Sequence, residues 1–343
     1  KLLEEIDFWK GEAEFKPFAH WTDAVGYAVI NQWSVQLGGQ QIGASQSVAD
    51  AMIDDVTRPG DDYYMAALGH GYDLDTARAQ SSRAQVGFYW PSVSWNQKGV
   101  NFMLAAHAYH QLNMHVGFHP VSSLICLAGT QNGANVACGG NSTAHGRSIE
   151  SAIQLAVISK TAYVSGVERD YLTGAALETI IIQTCVNQFR QSSSTQRHAL
   201  NCNHPTFEMF FAATPACNVQ ANRILHHSLP SGSPAIKEAE IIIQSATVYK
   251  ANEMFFRVYA TLDAYSKVPR DAVCYYTFCC DPKNASTAYS GSANFSRIDN
   301  FVLTLTLNDA PGNTTTLSGK KSDGALITVV TRCYNVARSK NGL

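Results

Sequence analysis

Short runs of alternating apolar and polar residues, separated by turn-forming residues, recur along most of the chain. In Phe301–Leu307 the phenylalanine and the three leucines fall on one face, and Val302, Thr304 and Thr306 fall on the other. This period of two is typical of a β-strand buried on one side. Comparable runs, divided by Gly-, Pro- and Asn-containing turns, occupy residues 26–37, 105–118, 239–249, 272–280 and 325–334. The pattern predicts an all-β chain of sandwiches or barrels, with helices expected only at Val48–Asp55 and Val167–Arg190.

The length predicts two domains, since domains average roughly 150 residues and the chain has 343. A polar, low-complexity segment, Gln-Ser-Ser-Ser-Thr-Gln-Arg at 191–197, is the candidate linker between them. We therefore expect a first domain at 1–190 and a second domain at 198–343. Each part is of a size that a β-sandwich commonly has.

Composition excludes several classes of protein. Hydrophobic residues make up 45% of the chain and the formal net charge is −2, so the chain is not intrinsically disordered. Charged residues make up only 15%, and without clusters of Lys and Arg we expect no direct nucleic-acid binding. The nine cysteines form no C-x-x-C pair. They predict reduced, structural thiols in a cytosol-like compartment.

Sequence motifs for catalysis and for metal binding are missing. Four histidines, His107, His110, His115 and His119, lie close together, but no H-x-H pair occurs and residues 97–125 contain no Asp or Glu. A zinc site needs converging imidazole, thiolate or carboxylate ligands, so we predict no metal here. The sequence also has no nucleophile elbow, phosphate-binding loop or dinucleotide fingerprint. We predict no catalytic residues and no cofactor.

Three N-x-S/T triplets are possible N-glycosylation sites. Asn141 and Asn313 lie in predicted loops, and Asn284 lies between predicted strands. A fourth triplet begins at Asn294, whose side chain we expect to bond locally instead.

The segment Ser290–Asn300 resembles the S-G-x-x-N-F-S-R-I-D signature of the major capsid proteins of nucleocytoplasmic large DNA viruses. Further motifs along the chain resemble that family in the expected order, among them N-H-P and the near-terminal Y-N-V. One departure is Gln111, which replaces the Glu of the family's L-Q-Y-H-E-V element in the segment 108–112. The other is Thr206-Phe207-Glu208, in place of the V-K-x that follows N-H-P. The signature residues carried over are Asn294, Phe295, Ser296, Arg297, Ile298 and Asp299, with Asn203, His204, Pro205, Tyr334 and Asn335 from the other two motifs.

The resemblance implies a tandem double jelly roll of two eight-stranded sandwiches, the first one incomplete at its N-terminus. It further implies a non-enzymatic structural protein. Three copies would form a pseudo-hexameric capsomer in an icosahedral shell over a viral membrane, next to minor capsid proteins. Assembly is expected in the host cytoplasm, with the loops at 127–147 and 308–324 in outer towers or subunit contacts. We expect Arg297 to pair with Asp299 or with nearby backbone, and a buried Arg297 would be needed for folding.

Two alternatives remain open at this point. One is a minor double jelly-roll capsid paralogue. The other is a jelly-roll carbohydrate-binding module or hydrolase, for which Tyr89, Trp90 and Trp95 would supply an aromatic platform. A hydrolase would also need two suitably spaced carboxylates, and none lies near these aromatic residues in the sequence.

Overall fold

β-Strands dominate the structure, a computed structural model, and the helices are short. Among the described residues, no helix is long and apolar enough to cross a membrane. The structure describes residues 16–58, 104–107, 109–120, 123–131, 134–138, 156, 163–220, 222–229, 232–285, 288–308, 314–315, 321–322 and 324–339.

The first half contains six strands and three α-helices among its described residues. Two three-stranded antiparallel sheets form, in the orders β1-β5-β6 and β3-β2-β4. The elements are β1 (Lys16–Trp21), α1 (Val25–Ala28), β2 (Ile30–Leu37), β3 (Gln40–Gln46), α2 (Ser47–Thr57), β4 (Leu112–Phe118), β5 (Ile125–Gln131), β6 (Ala134–Cys138) and α3 (Gly166–Gly174).

The second half is a complete jelly roll. Its elements are β7 (Leu177–Gln191), β8 (Thr195–Ala199), β9 (Pro205–Pro215), α4 (Ala216–Gln220), β10 (Ile236–Ile243), β11 (Ala246–Asn252), a π-helix (Phe255–Tyr259), α5 (Ala260–Tyr265), β12 (Cys274–Thr277), β13 (Ala293–Asn294), a 3-10 helix (Phe295–Arg297), β14 (Phe301–Leu307), β15 (Thr314–Thr315), β16 (Lys321–Ser322) and β17 (Ala325–Ser339). One sheet has the order β7-β17-β9-β12 and the other β8-β14-β10-β11. Numbered along the domain, its eight main strands run 1-8-3-6 in one sheet and 2-7-4-5 in the other, which is jelly-roll topology.

The interdomain linker predicted at 191–197 lies inside this jelly roll. Gln191 ends β7 and Thr195 begins β8, so residues 192–194 are a turn within the domain and the rest of the segment belongs to its strands. The fully buried Gln191 side chain fixes the turn, because its Nε2 donates to the carbonyl oxygens of Ser193 and Leu305 at 3.0 and 3.1 Å. A polar composition suits such a turn as well as a linker.

Strand β7 belongs to the second half along its whole length. It pairs with β17 without a register shift, from Leu177 opposite Ser339 to Gln191 opposite Ala325. The helix predicted for Val167–Arg190 is therefore wrong beyond Gly174, where α3 ends. Mixed apolar spacing in this stretch arises because the strand is partly covered on both faces: Phe189 packs against the sandwich core, and Val186 packs against the cluster that contains α2.

The sheet that contains β9 is covered on both faces. Its inner face packs in the sandwich core, where Phe211 and Val329 meet Leu303 and Leu305 of the opposite sheet. On the outer face, Phe210 and its neighbours pack against Met52, Ile53 and Val56 of α2 in the first half. Every residue of β9 after Pro205 is buried as a result.

A buried ion pair lies on the outer face of this sheet. Glu208 in β9 stands directly opposite Arg332 in β17, whose Nη1 donates to Glu208 Oε1 at 2.5 Å. The hydroxyls of Tyr265 and Tyr275 donate to the other carboxylate oxygen at 2.8 and 3.1 Å. Burial and the adjacent carboxylate raise the pKa of both tyrosines well above the usual range, which keeps them protonated as donors.

Replacing Glu208 by Ala should lower the free energy of unfolding by about 3–5 kcal/mol, because a buried guanidinium loses its counter-charge. The double variant Glu208→Leu with Arg332→Met should lose much less, since no charge remains buried. Urea unfolding followed by far-ultraviolet circular dichroism measures both. Equal losses in the single and double variants would contradict this account.

Candidate functional site

Two of the sequence motifs meet at one end of β9. The two residues of β13, Ala293 and Asn294, pair antiparallel with Thr206 and Pro205. The signature segment therefore lies directly beside the Asn203-His204-Pro205 motif. Pro205 begins β9, where the missing backbone N–H of proline is tolerated.

Asn294 and Phe295 have separate structural roles in the signature. Asn294 Oδ1 accepts from the backbone N–H and the hydroxyl of Ser296, at 3.2 and 2.5 Å, and so caps the 3-10 helix. Phe295 is buried and stacks on Phe301, with ring centroids 4.2 Å apart, and meets Phe278 edge-on at 5.7 Å. The cap turns the chain and the ring anchors that turn in the sandwich core.

Arg297 and Asp299 do not form the expected pair. Both side chains are exposed, and within the described part of the chain neither has an ion-pair or hydrogen-bond partner. The 3-10 helix is the reason, because burying Phe295 in the core turns Ser296 and Arg297 toward solvent. Ile298, in contrast, packs against the core.

The Tyr334-Asn335 motif lies on β17 and connects to the first half. Tyr334 stacks on Phe207 with ring centroids 4.6 Å apart, and burial raises its pKa to about 12. Asn335 Nδ2 donates to Gln183 Oε1 at 2.9 Å, and Gln183 Nε2 donates to the carbonyl oxygen of Ile42 at 3.0 Å. This chain of hydrogen bonds joins β17 to β3 through β7.

A second polar connection joins the halves at α2. The Asp55 carboxylate accepts the backbone N–H groups of Arg270 and Asp271, both at 3.0 Å. Arg270 Nη2 also donates to Asp23 Oδ2 at 2.9 Å. No sequence motif indicated these contacts, which join residues more than 200 positions apart.

Asp271 continues this connection to a buried histidine. Its carboxylate accepts from the backbone N–H of His227 at 2.9 Å and from Ser228 Oγ at 3.0 Å. Although burial would raise it, hydrogen bonds and the neighbouring histidines hold the pKa of Asp271 well below its usual range. His227 Nδ1 lies 2.8 Å from Thr214 Oγ1, and burial lowers the pKa of His227.

The remaining predicted residues do not form a chemical site. No group of three His, Cys, Asp or Glu able to hold a metal occurs among the described residues. The Asn284 side chain is exposed, and its Nδ2 donates to Asp281 Oδ2 at 2.8 Å. Outside the described residues lie Asn141, Asn313, Tyr89, Trp90 and Trp95, together with residues 139–147 and most of the predicted loop at 308–324. The loop predicted at 127–147 is wrong for residues 127–131 and 134–138, which belong to β5 and β6.

A family model described as large eukaryotic DNA virus major capsid protein matches residues 168–343. The chain belongs to this family. The match confirms the resemblance seen in the sequence, and it makes the protein a non-enzymatic structural component of a virion capsid. The hydrolase alternative is therefore wrong.

Solved capsid structures share the fold of this capsid protein across both halves. The quasi-atomic model of the PBCV-1 virus capsid superposes with a TM-score of 0.65 at 17% identity, covering 96% of this chain and 87% of that one. The Faustovirus major capsid protein gives a TM-score of 0.54 at 11% identity, covering 95% and 74%. Among curated proteins, no sequence matches. The predicted double jelly roll is confirmed.

In this capsid protein, the signature acts through packing and not through its charges. We expect Phe295→Ala to lower the free energy of unfolding by about 3–5 kcal/mol, since a large buried ring leaves a cavity. Arg297→Ala should change it by less than about 0.5 kcal/mol, because the side chain is exposed. Urea unfolding midpoints measure both, and a large loss in the arginine variant would contradict the assignment.

Stability should fall as the pH drops below about 6.5, the usual histidine pKa. The folded protein holds His227 at a lowered pKa, so the unfolded chain binds more protons in this window and gains stability relative to the fold. His227→Gln should therefore lose less stability than the wild type between pH 7.5 and 5.5.

Urea unfolding at the two pH values tests this expectation. His115→Gln is the matched control, because the His115 side chain on β4 is exposed. An unchanged pH difference in His227→Gln, or an equal reduction in the control, would count against the buried-histidine explanation.

Proposed function

We propose that this capsid protein forms a homotrimeric capsomer with a pseudo-hexameric outline. Capsid proteins of this family assemble with copies of themselves. Two tandem jelly rolls in each of three chains give six similar lobes, which suits hexagonal tiling of an icosahedral shell. Within the chain, the first domain would end before Leu177, because β7 pairs with β17.

Exposed apolar side chains on α3 carry the proposal. Val167 and Tyr171 are 83% and 70% exposed, one helical turn apart on the same face, with Tyr163 exposed just before the helix. No residue of α3 is buried in the single chain. Large exposed apolar groups of this kind mark interaction surfaces. We call Tyr163, Val164, Val167 and Tyr171 the α3 face.

The helix is preformed for such a contact. Ser165 and Glu168 make a capping box, in which each side chain accepts the backbone N–H of the other residue, at 3.3 and 2.8 Å. This local cap holds α3 without burying any of its side chains. A preordered surface loses less conformational entropy on binding.

A second exposed apolar surface lies nearby in the fold. Ile180 of β7 and Val336 of β17 stand directly opposite each other and are both exposed. They continue the row that Ile182 and Tyr334 begin in the buried cluster. The α3 face and this pair flank the start of β7, so one neighbouring subunit could cover both.

Finer parts of the proposal follow the family resemblance. Minor capsid proteins and a viral membrane would lie beneath the capsomer, with assembly in the host cytoplasm. Unpaired thiols such as Cys126, Cys274 and Cys279 suit a reducing compartment. Glycans would attach at Asn284, whose side chain is exposed, or at Asn141 and Asn313. A minor capsid paralogue would share this fold but would differ in its assembly.

Light scattering after size exclusion should give a mass three times the 37.3 kDa of one chain. Negative-stain images should show particles with a hexagonal outline. The variant Val167→Lys with Tyr171→Lys should be mainly monomeric, because charge on the α3 face opposes its burial. Its thermal unfolding midpoint as a monomer should be unaffected, since neither residue is buried in the chain.

Val248→Lys serves as the control, because Val248 is an exposed valine on β11 in the other sheet. It should remain trimeric. A monomeric wild type would contradict the capsomer proposal. A double variant that stays trimeric would remove the α3 face from the interface.

A further inference from the structure

Two thiols in the second jelly roll approach the same buried threonine. Cys185 of β7 stands directly opposite Thr331 of β17, a position at which Cβ atoms lie about 5 Å apart. Cys202, in the connection between β8 and β9, places its Sγ 3.4 Å from Thr331 Oγ1. Thr331 is fully buried on the inner face of the sheet. The two cysteines are thus neighbours around one side chain, although 17 positions separate them.

Local hydrogen bonds position the Cys185 thiol. Cys185 Sγ donates to the carbonyl oxygen of Asn201, the residue before Cys202, at 3.1 Å. Asn187 Nδ2 lies 3.7 Å from Cys185 Sγ and donates to it. Asn187 Nδ2 also donates to the Asn201 carbonyl oxygen at 3.4 Å, so these bonds connect the Cys185 side chain to the backbone that carries Cys202.

The two cysteines differ in their access to solvent. Cys185 lies on β7, at the edge of the described sheet, and is only partly buried. Cys202 is buried and belongs to the sandwich core. A small reagent in solution would therefore meet Cys185 first and find Cys202 behind it.

The pKa values of the two thiols also differ, and the more accessible thiol has the lower pKa. The neighbouring Cys202 thiol holds the pKa of the Cys185 thiol below its usual value, and the Asn187 amide adds to this effect. The proximity of Cys185, together with burial, raises the pKa of the Cys202 thiol. Thiolate is the nucleophile in disulfide exchange, so Cys185 is suited to attack and Cys202 to resolve.

We propose that Cys185 and Cys202 form a reactive dithiol that closes to a disulfide by exchange with a small disulfide of the oxidised-glutathione class. The Cys185 thiolate attacks one sulfur of the reagent, whose S–S bond breaks and releases one glutathione thiolate. Cys202 then loses its proton to solvent and attacks the Cys185 sulfur, which releases the second glutathione. The protein gives up two electrons and two protons, and the reagent is reduced to two thiols.

The disulfide would tie β7, the first strand of the jelly roll, to the connection that follows β8 in the opposite sheet. Reducing conditions during assembly would keep the pair open, and oxidising surroundings outside a cell would close it. The proposal rests on contacts within one jelly roll. It is independent of the trimer and of the α3 face.

The test exposes the purified full chain to oxidised glutathione, blocks remaining thiols with N-ethylmaleimide, and maps peptides by mass spectrometry. The wild type should yield a peptide cross-linked between Cys185 and Cys202. Cys202→Ser should stop at a glutathione adduct on Cys185, and Cys185→Ser should yield neither product. Cys280→Ser is the matched control, because Cys280 is an exposed thiol elsewhere in the same domain, and it should behave as the wild type.

The exposed thiol of Cys280 is the reference for reactivity, so the test uses concentrations of oxidised glutathione that modify Cys280. At those concentrations, a wild type without the cross-linked peptide would overturn the proposal. A Cys202→Ser variant that carries glutathione on Cys280 and none on Cys185 would overturn it too. Because Cys202 lies in the core, the wild-type peptide map decides the matter even if that variant does not fold.

Discussion

The sheet β7-β17-β9-β12 has no solvent-facing side at its centre, and much of the structure depends on this constraint. One face supports the sandwich core and the other supports α2 of the first half. Any polar side chain in the centre of this sheet therefore needs partners within the protein. Glu208 meets that requirement with Arg332 and two tyrosines. The ion pair is thus a result of joining the two halves across the sheet.

Sequence pattern predicted strands well where a strand has one buried face. The predicted strand Phe301–Leu307 matches β14 at both ends. Apolar and polar residues alternate in a strand when only one of its faces is buried. Prediction was poorer where burial is two-sided or where a turn lacks glycine and proline. The run 239–249 spans two strands that turn at Gln244 and Ser245, both with positive φ angles. Two-residue turns with positive φ angles usually carry Asn, Asp or Gly, and neither residue is one of these.

The position of the signature could be predicted from its resemblance to a family. The structural role of each of its residues could not. Arg297 and Arg332 look alike in sequence, yet one is exposed and the other is buried opposite Glu208. The burial of Arg332 is decided by the register between β9 and β17, which joins residues 124 positions apart. The link from Asp55 to Asp271 depends on docking of the two halves in the same way. Local sequence patterns do not contain the pairing register between strands that are far apart in the chain.

Pairing of β7 with β17 also determines when the domain can close during synthesis. The first strand of the jelly roll finds its partner only in the last, so a ribosome must release the whole 177–339 segment before this ladder forms. Until then α2 lacks the sheet of the second half, and Met52, Ile53 and Val56 lack the partners that bury them there. A topology dominated by such distant contacts folds slowly. Premature contact between nascent chains is therefore the hazard that this architecture must avoid before any shell is built.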